Sequence, residues 1–468
     1  MNLFRQPRIV ITALRGGGGK TILSLGLAAA WCKHGLQIAP FKKGPDFIDA
    51  GWLSFASARP CYNLDPFLMT RGQILESFIV NSTDADLSII EGNRGIYDGL
   101  DVEGHYSTAE VAKLVKSPVL IVVDVTMATR TIAALIKGCQ IFDPDVDISG
   151  IILNRVAGVR QETLIQAAIE RHCGIPVIGS IPKLKNNPFP ERHMGLVPYQ
   201  ERASAEKAIS WAQAAVEKHI DMDKIWKIAC NAGAINSPPE GYIPTKDTKT
   251  FIHNSPLRIG YINDRAFWFY YPENLEALRS AGAILIKINA LSHKELPPID
   301  ALYIGGGFPE TQAEALSRNE SFRYSLKNEI EKGLPVYAEC GGFMYLGELL
   351  HVGGKKYPMV GSLPFEFILH KRPQGHGYTV IEVTRPNPFF PVGTVLKGHE
   401  FHYSQAALKK EGAVDTVFKV KRGHGINGKT DGICMKNLLA TYTHIHARGS
   451  QLWSKGFINA ARNYQRKK

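Results

Sequence analysis

Short runs dense in Val, Ile and Leu alternate with longer amphipathic stretches over the first 230 residues. Arg8–Leu14, Gln37–Phe41, Leu87–Glu91, Pro118–Asp124 and Ile148–Asn154 are apolar at nearly every position, the pattern of strands buried on both faces. Thr21–His34 carries apolar residues at helical spacing and stops at Gly35. Strands alternating with helices predict a doubly wound, mostly parallel sheet, and Tyr199–Ile220 reads as the amphipathic helix that closes it. Residues 232–256 are rich in Pro, Gly, Ser, Asn, Lys and Thr without apolar periodicity, a linker by composition. A second α/β unit begins at Leu257, with strands expected at Leu257–Ile262, Ala283–Ile288, Ala301–Ile304 and Pro335–Glu339. Its last third is more β-rich, with Tyr378–Val383 and Leu439–His446. The expected organisation is therefore 1–231, a linker over 232–256, and 257–468.

Composition narrows the class. A chain of 468 residues with 44% hydrophobic and 21% charged residues is expected to form two or three globular domains. No apolar run reaches the roughly eighteen residues that a membrane helix needs, and the strand that follows Met1–Arg5 leaves no room for a secretory signal. The seven cysteines form no C-x-x-C pair, which disfavours a disulfide framework or a zinc site and suits the cytoplasm. The formal charge of +12 is dispersed without a basic tract, so it suggests anionic small substrates rather than nucleic acid or a membrane surface.

Candidate chemistry starts between the first strand and its helix, at Arg15-Gly16-Gly17-Gly18-Gly19-Lys20-Thr21. Glycines at 16 to 19 let backbone N–H groups converge on phosphate oxygens at a helix N-terminus. Lys20 is placed to reach the terminal phosphates, and the Thr21 hydroxyl to hold Mg²⁺. The spacing is that of a deviant phosphate loop, with a basic residue before the glycines. Carboxylates at strand ends face the ligand crevice of such a sheet. Glu91, which leads into Gly92-Asn93-Arg94-Gly95-Ile96-Tyr97-Asp98-Gly99, is one such residue, and Asp46 and Asp49 in Lys42-Lys43-Gly44-Pro45-Asp46-Phe47-Ile48-Asp49 are others. Asp124 also ends a strand, where it serves equally well as a helix cap.

In the second unit, Pro335-Val-Tyr-Ala-Glu-Cys340-Gly-Gly is an apolar strand followed by a thiol and two glycines, the sharp strand-to-helix turn that exposes a nucleophile. Gly305-Gly306-Gly307 follows another strand and can supply oxyanion-binding N–H groups. The thiol needs a base. Tyr442-Thr443-His444-Ile445-His446 offers two imidazoles, and His399 and His402 in Gly398-His-Glu-Phe-His-Tyr-Ser404 are rivals.

Together these stretches resemble the cobyrinic acid a,c-diamide synthase family. The matching strings are the Gly-Lys-Thr loop, PFKKGPDFIDAGW, NLDPF, EGNRGIYDG, ERHMGLVP, ALYIGGGFPE, AECGGFMYL, GHEFHYS and YTHIH, in that order along nearly the whole chain. The resemblance implies a P-loop, dethiobiotin-synthetase-like domain fused to a class I-type glutamine amidotransferase domain. It implies ATP and Mg²⁺ at Gly16–Thr21, a metal ligand at Glu91, and Asp46, Asp49 and Asp98 in the ATP and carboxylate chemistry. It assigns Cys340 as the nucleophile and His444, two residues after the tyrosine, as its base. The ordinary class I pattern has a glutamate two positions beyond that histidine, where His446 stands here, so the third member of the triad is left open. Glutamine and a tetrapyrrole polycarboxylate are the implied substrates, with nickel-sirohydrochlorin and sirohaem as alternatives to cobyrinate. Arg94, Lys42, Lys43 and the aromatic run Phe267–Tyr271 are candidates for the macrocycle site. Arg15 in the place of the signature basic residue suggests a homodimer. The competing class is a partitioning-type ATPase switch, which would need neither Cys340 with its glycines nor the Tyr442–His444 pair.

Overall fold

The structure is a computed structural model that describes residues 3–184, 188–189, 191–192, 195–196, 202–236, 256–408 and 414–468. The chain divides into two compact units, Met1–Pro244 and Thr245–Lys468. Most of the expected linker, the stretch 199–201 at the head of the expected helix, and much of the ERHMGLVP string lie outside the described residues.

In the first unit a seven-stranded sheet runs Tyr62–Leu64, Ile38–Lys43, Leu87–Glu91, Arg8–Ala13, Val119–Asp124, Ile148–Val156, Val177–Pro182, among the described residues. Every neighbouring pair is parallel. Parallel strands joined by helices are covered on both faces, which is why Ile9, Val10, Ile11, Ile89, Ile90, Leu120 and Ile121 are fully buried. The helix Lys20–Lys33 is buried from Leu23 to Trp31. The short Tyr62–Leu64 and the outer Val177–Pro182 extend the sheet beyond the five strands expected from the sequence.

Among the described residues the second unit is built on a mixed ten-stranded sheet. Its parallel half runs Ala283–Ile288, Leu257–Ile262, Ala301–Ile304, Val336–Glu339, Leu438–Thr441. The antiparallel half continues with Thr430–Met435, Asp415–Arg422, Gly375–Val383, Val395–His402 and His444–Ile445. Only Tyr442 and Thr443 separate the strand in fifth place from the strand at the far edge, a span of less than about 10 Å for so few residues. The antiparallel half must therefore curl back on itself, carrying its edge to the C-terminal end of the parallel half. The buried Asp431 holds this bend: its carboxyl accepts from the Thr441 hydroxyl (2.6 Å), the Thr443 hydroxyl (3.0 Å) and the N–H groups of Tyr442 (3.1 Å) and Thr443 (3.2 Å). The expected Leu439–His446 strand is thus broken in its middle, because the backbone there bonds to a side chain rather than to a neighbouring strand.

Candidate functional site

The phosphate loop leaves the strand Arg8–Ala13, which lies at the centre of its sheet between Leu87–Glu91 and Val119–Asp124. At this switch point adjacent crossovers go to opposite faces and open a crevice at the strand C-termini. Gly19 directly precedes the helix with φ at 101°, a conformation that strains any residue with a Cβ. A side chain there would also strike the Asn154 amide, which donates to the Gly18 carbonyl at 2.9 Å. Asn154 was not foreseen from the sequence; its position at a strand end in the same sheet was the available signal. Lys20 donates to the carbonyls of Arg94 (2.8 Å) and Arg15 (3.4 Å), and burial lowers its pKa below the ordinary lysine value.

Below the loop lies a buried ionic cluster. Lys42, at 1% exposure, donates to Asp49 and Glu91, both at 2.7 Å, and to the Gly92 carbonyl at 3.2 Å. Burial works against the Lys42 ammonium, but Asp49 and Glu91 hold its pKa above the ordinary value. For Asp49 burial acts upward and Lys42 overrides it, leaving the carboxyl below its usual range. Burial raises Glu91, with Lys42 opposing. Thr21 Oγ1 donates to Glu91 Oε1 at 2.9 Å, while Glu91 Oε2 is buried with no hydrogen-bond partner. A buried carboxylate oxygen left unpaired beside a hydroxyl is an oxygen donor set that fits a hard divalent cation such as Mg²⁺.

The remaining predicted acids are spread around this cluster. Asp46 Oδ1 accepts from the N–H groups of Ile48 (2.7 Å) and Asp49 (3.0 Å) at the start of the helix Ile48–Ser57. Burial, with the Asp49 charge beside it, pushes Asp46 up to about 7. Asp98 accepts from the Gly95 N–H at 2.7 Å and so closes the 95–98 turn. Arg15 pairs with Asp124 of its own chain at 3.1 Å, and Arg155 with the same carboxyl at 2.8 Å.

In the second unit Cys340 stands between the strand Val336–Glu339 and the helix Gly341–Leu346 with φ 46° and ψ −97°. A positive φ on a residue with a Cβ costs about 1–3 kcal/mol and persists only where the surroundings fix it. Here the Cys340 N–H donates to the Thr441 carbonyl at 2.8 Å. The thiol is buried, lies 3.8 Å from the Phe401 carbonyl, and burial pushes its pKa far above the ordinary value. Gly341 is packed against Gly307, so that a side chain at 341 would meet the Gly307 nitrogen at 2.9 Å. The Gly306–Gly307 backbone therefore lies beside the turn that carries the thiol.

His444 reaches the same place. A side chain on Gly306 would meet His444 Cε1 at 2.5 Å and Nε2 at 3.2 Å, so that edge of the imidazole faces the Gly306–Gly307 backbone. His444 Nδ1 lies 3.1 Å from Glu339 Oε2. The rival histidines have partners of their own. His399 stacks on His444 with ring centroids 5.0 Å apart, and its Nδ1 meets the Tyr271 hydroxyl at 3.2 Å. His402 stacks on Tyr442 at 3.6 Å, with Nδ1 on the Ser404 carbonyl at 2.9 Å. His446 packs on Tyr271 and lies 3.5 Å from Glu273. The aromatic run 267–271 does not offer an open face to a macrocycle. Phe267, Trp268, Phe269 and Tyr271 are buried in the second unit, and Phe267–Phe269 pairs with Gly306–Gly307.

The comparison with known families agrees with this division. Residues 9–197 match the CobQ/CobB/MinD/ParA nucleotide binding domain, and residues 258–452 the CobB/CobQ-like glutamine amidotransferase domain. The protein is thus a glutamine-dependent amide ligase with a nucleotide-binding unit. It is 43% identical to the cobyrinate a,c-diamide synthase of Magnetococcus marinus, with 96% of each chain covered. The identity is 42% to that of Archaeoglobus fulgidus, over 97% of each chain. It is 38% to that of Caldanaerobacter subterraneus, over 98% of this chain and 99% of the relative. The chain belongs to the cobyrinate a,c-diamide synthase family.

Proposed function

We propose that the protein uses ATP and glutamine to amidate the a and c acetate side chains of cobyrinate. The observation that carries this reading is identity of 43% to a cobyrinate a,c-diamide synthase, sustained over 96% of both chains. The geometry of the two sites is consistent with it. In the first unit an acetate carboxylate attacks the γ-phosphorus of ATP, giving an acyl phosphate and ADP. Ammonia then attacks the acyl carbon and expels inorganic phosphate. The Gly16–Gly19 amides and the N-terminus of the following helix hold the phosphates, and Lys20 exchanges the Arg94 carbonyl for a phosphate oxygen. Lys42 holds the Glu91 and Asp49 carboxylates in place, while Asp46 and Asp98 shape the surrounding turns. Thr21 Oγ1 and Glu91 Oε2 are the atoms that would hold Mg²⁺, whose charge would offset that of the phosphates.

In the second unit Cys340 passes its proton to His444 and attacks the side-chain amide carbon of glutamine. The C–N bond breaks as His444 returns a proton to the departing ammonia, and water then cleaves the thioester to glutamate. In this reading the Gly306–Gly307 backbone, which lies beside the turn carrying the thiol, supplies N–H groups to the oxyanion. The same reading takes the enzyme to be a cytoplasmic homodimer, which light scattering of the purified protein tests.

The deciding experiment offers cobyrinate, nickel-sirohydrochlorin and sirohaem separately, each with ATP, Mg²⁺ and glutamine, and counts amides by mass spectrometry. A diamide of cobyrinate at the highest kcat/KM is expected. Preference for another macrocycle would overturn the substrate, and no amidation of any would overturn the tetrapyrrole reading.

A further inference from the structure

A cysteine hydrolase base must present an unprotonated nitrogen to the thiol, so something must hold the proton on the other nitrogen. We infer that Glu339, the residue directly before Cys340, is the positioning carboxylate that does this for His444. The inference rests on the reading of Cys340 and His444 as the glutaminase pair.

The argument starts from alternation in the strand Val336–Glu339. Successive side chains point to opposite faces, so Glu339 shares the face of Tyr337 while Ala338 points the other way. The core packing follows this split: Tyr337 belongs with Tyr303, Trp453 and Phe457, whereas Ala338 and Cys340 belong with Phe343 and Tyr442. Glu339 thus approaches His444 from the face opposite the Cys340 side. Its Oε2 lies 3.1 Å from His444 Nδ1.

The acceptor count then fixes the tautomer. Glu339 Oε2 also accepts from the Tyr303 hydroxyl at 3.1 Å, and Oε1 accepts from the Ile445 N–H at 3.3 Å. A carboxylate only accepts, so in the neutral ring His444 Nδ1 is the donor and Nε2 carries the lone pair. That Nε2 is on the edge of the ring that faces the Gly306–Gly307 backbone. The holder is itself held. Asn274 donates to the Tyr303 hydroxyl (3.3 Å) and the Ile445 carbonyl (2.8 Å), and accepts from the Ala447 N–H (2.7 Å). Glu339, Tyr303, Asn274 and His444 are all at most 2% exposed, so water does not compete for these bonds. Glu273, the carboxyl on the neighbouring helix, lies 3.5 Å from His446.

The test compares Glu339→Gln, Glu339→Asp and Cys340→Ala in the full chain, measuring glutamine hydrolysis and ammonium-driven synthesis. Glutamine preserves the shape and the bond from Ile445, but its amide can present N–H to Nδ1 and stabilise the wrong tautomer. Glutaminase kcat should fall by about 10²-fold or more in Glu339→Gln, with KM for glutamine changed less than about threefold and ammonium-driven synthesis unchanged. Glu339→Asp, which keeps a carboxylate one methylene further back, should recover part of the loss. A Glu339→Gln enzyme that hydrolyses glutamine within about twofold of wild type would overturn the inference. So would a fall in kcat matched by a rise in KM, which would mark a merely structural role. Cys340→Ala separates the two levels: glutaminase activity surviving in that variant would sink the underlying pair, whereas its loss leaves the Glu339 result to be read by itself.

Discussion

Lys42 is buried between two carboxylates, and removing it tests whether this cluster is compensated as its distances imply. Lys42→Met keeps the length of the side chain and deletes the ammonium that lies 2.7 Å from both Glu91 and Asp49. The two carboxylates then differ in their escape routes. The Asp49 side chain is 22% exposed and can find water, whereas that of Glu91 is fully buried and keeps only the Thr21 hydroxyl. Stranding one member of a buried pair costs about 3–5 kcal/mol, and most of that falls on Glu91. Lys42→Met/Glu91→Gln removes both charges and should cost far less than the sum of the single changes, a coupling of about 2–3 kcal/mol. Hydrogen exchange in urea, followed in peptides covering 38–49 and 87–91, reads this unit separately from the other. Because burial already raises Glu91, the carboxyl of Lys42→Met can take up a proton as pH falls. The penalty should therefore shrink toward acid. A single-variant cost below about 1 kcal/mol, or strictly additive costs, would refute the view that Lys42 neutralises a buried Glu91.

Three further outcomes are expected. Cys340→Ala should lose glutamine-dependent amidation and keep synthesis from high ammonium, as steady-state assays with each nitrogen source would read. Lys20→Ala should lose synthesis with either source at an unchanged Tm, since its bonds go to two loop carbonyls rather than to a core. Asp46→Asn should stabilise the protein at pH 8 but not at pH 4. The Asp46 carboxyl, raised to about 7 in the fold, holds a proton that the unfolded chain releases from about pH 4 upward, so wild-type stability falls across that window and levels off above it. A full shift carries about 1.4 kcal/mol per pH unit. Sharing of charge with Asp49 reduces this to roughly 1–2 kcal/mol at pH 8, and thermal denaturation at several pH values would measure it.

Four strands were legible in the sequence to the residue. Leu87–Glu91, Leu257–Ile262, Ala283–Ile288 and Ala301–Ile304 have the expected bounds; of these, Leu87–Glu91 and Ala301–Ile304 are buried at every position, as interior parallel strands dense in apolar residues are. The antiparallel half of the second sheet was legible only in part. Asp415–Arg422 alternates exposed Lys and Asp with Val and Phe, and Thr430–Met435 begins with Thr-Asp-Gly, so neither stands out by apolarity. The candidate site divides in the same way. Gly19, Lys20, Thr21 and Cys340 announce themselves through contiguous strings, since loop and turn chemistry is local. The bonds from Lys42 to Glu91, from Asn154 to Gly18 and from His444 to Glu339 join residues 49, 136 and 105 positions apart. Each was fixed by the order of strands in its sheet, which no local pattern encodes.

That strand order also explains why Cys340 and its candidate base can be buried together. The thiol has carboxyls on several sides, and burial together with Glu310, Glu339 and Glu400 raises its pKa, against the opposing Gly341 N–H. A thiolate formed alone in that setting would be repelled by its neighbours. If the proton moves to His444 instead, the total charge inside the site does not change and the new imidazolium stays against Glu339. The same carboxyl that opposes a lone thiolate thus favours the ion pair. The curl of the antiparallel half makes this possible, since Asp431 turns the chain at Tyr442–Thr443 and so delivers His444 to the edge where Glu339 ends its strand. Asp431 and Glu339 therefore act in series: the first sets where the imidazole is, the second which of its nitrogens carries the proton.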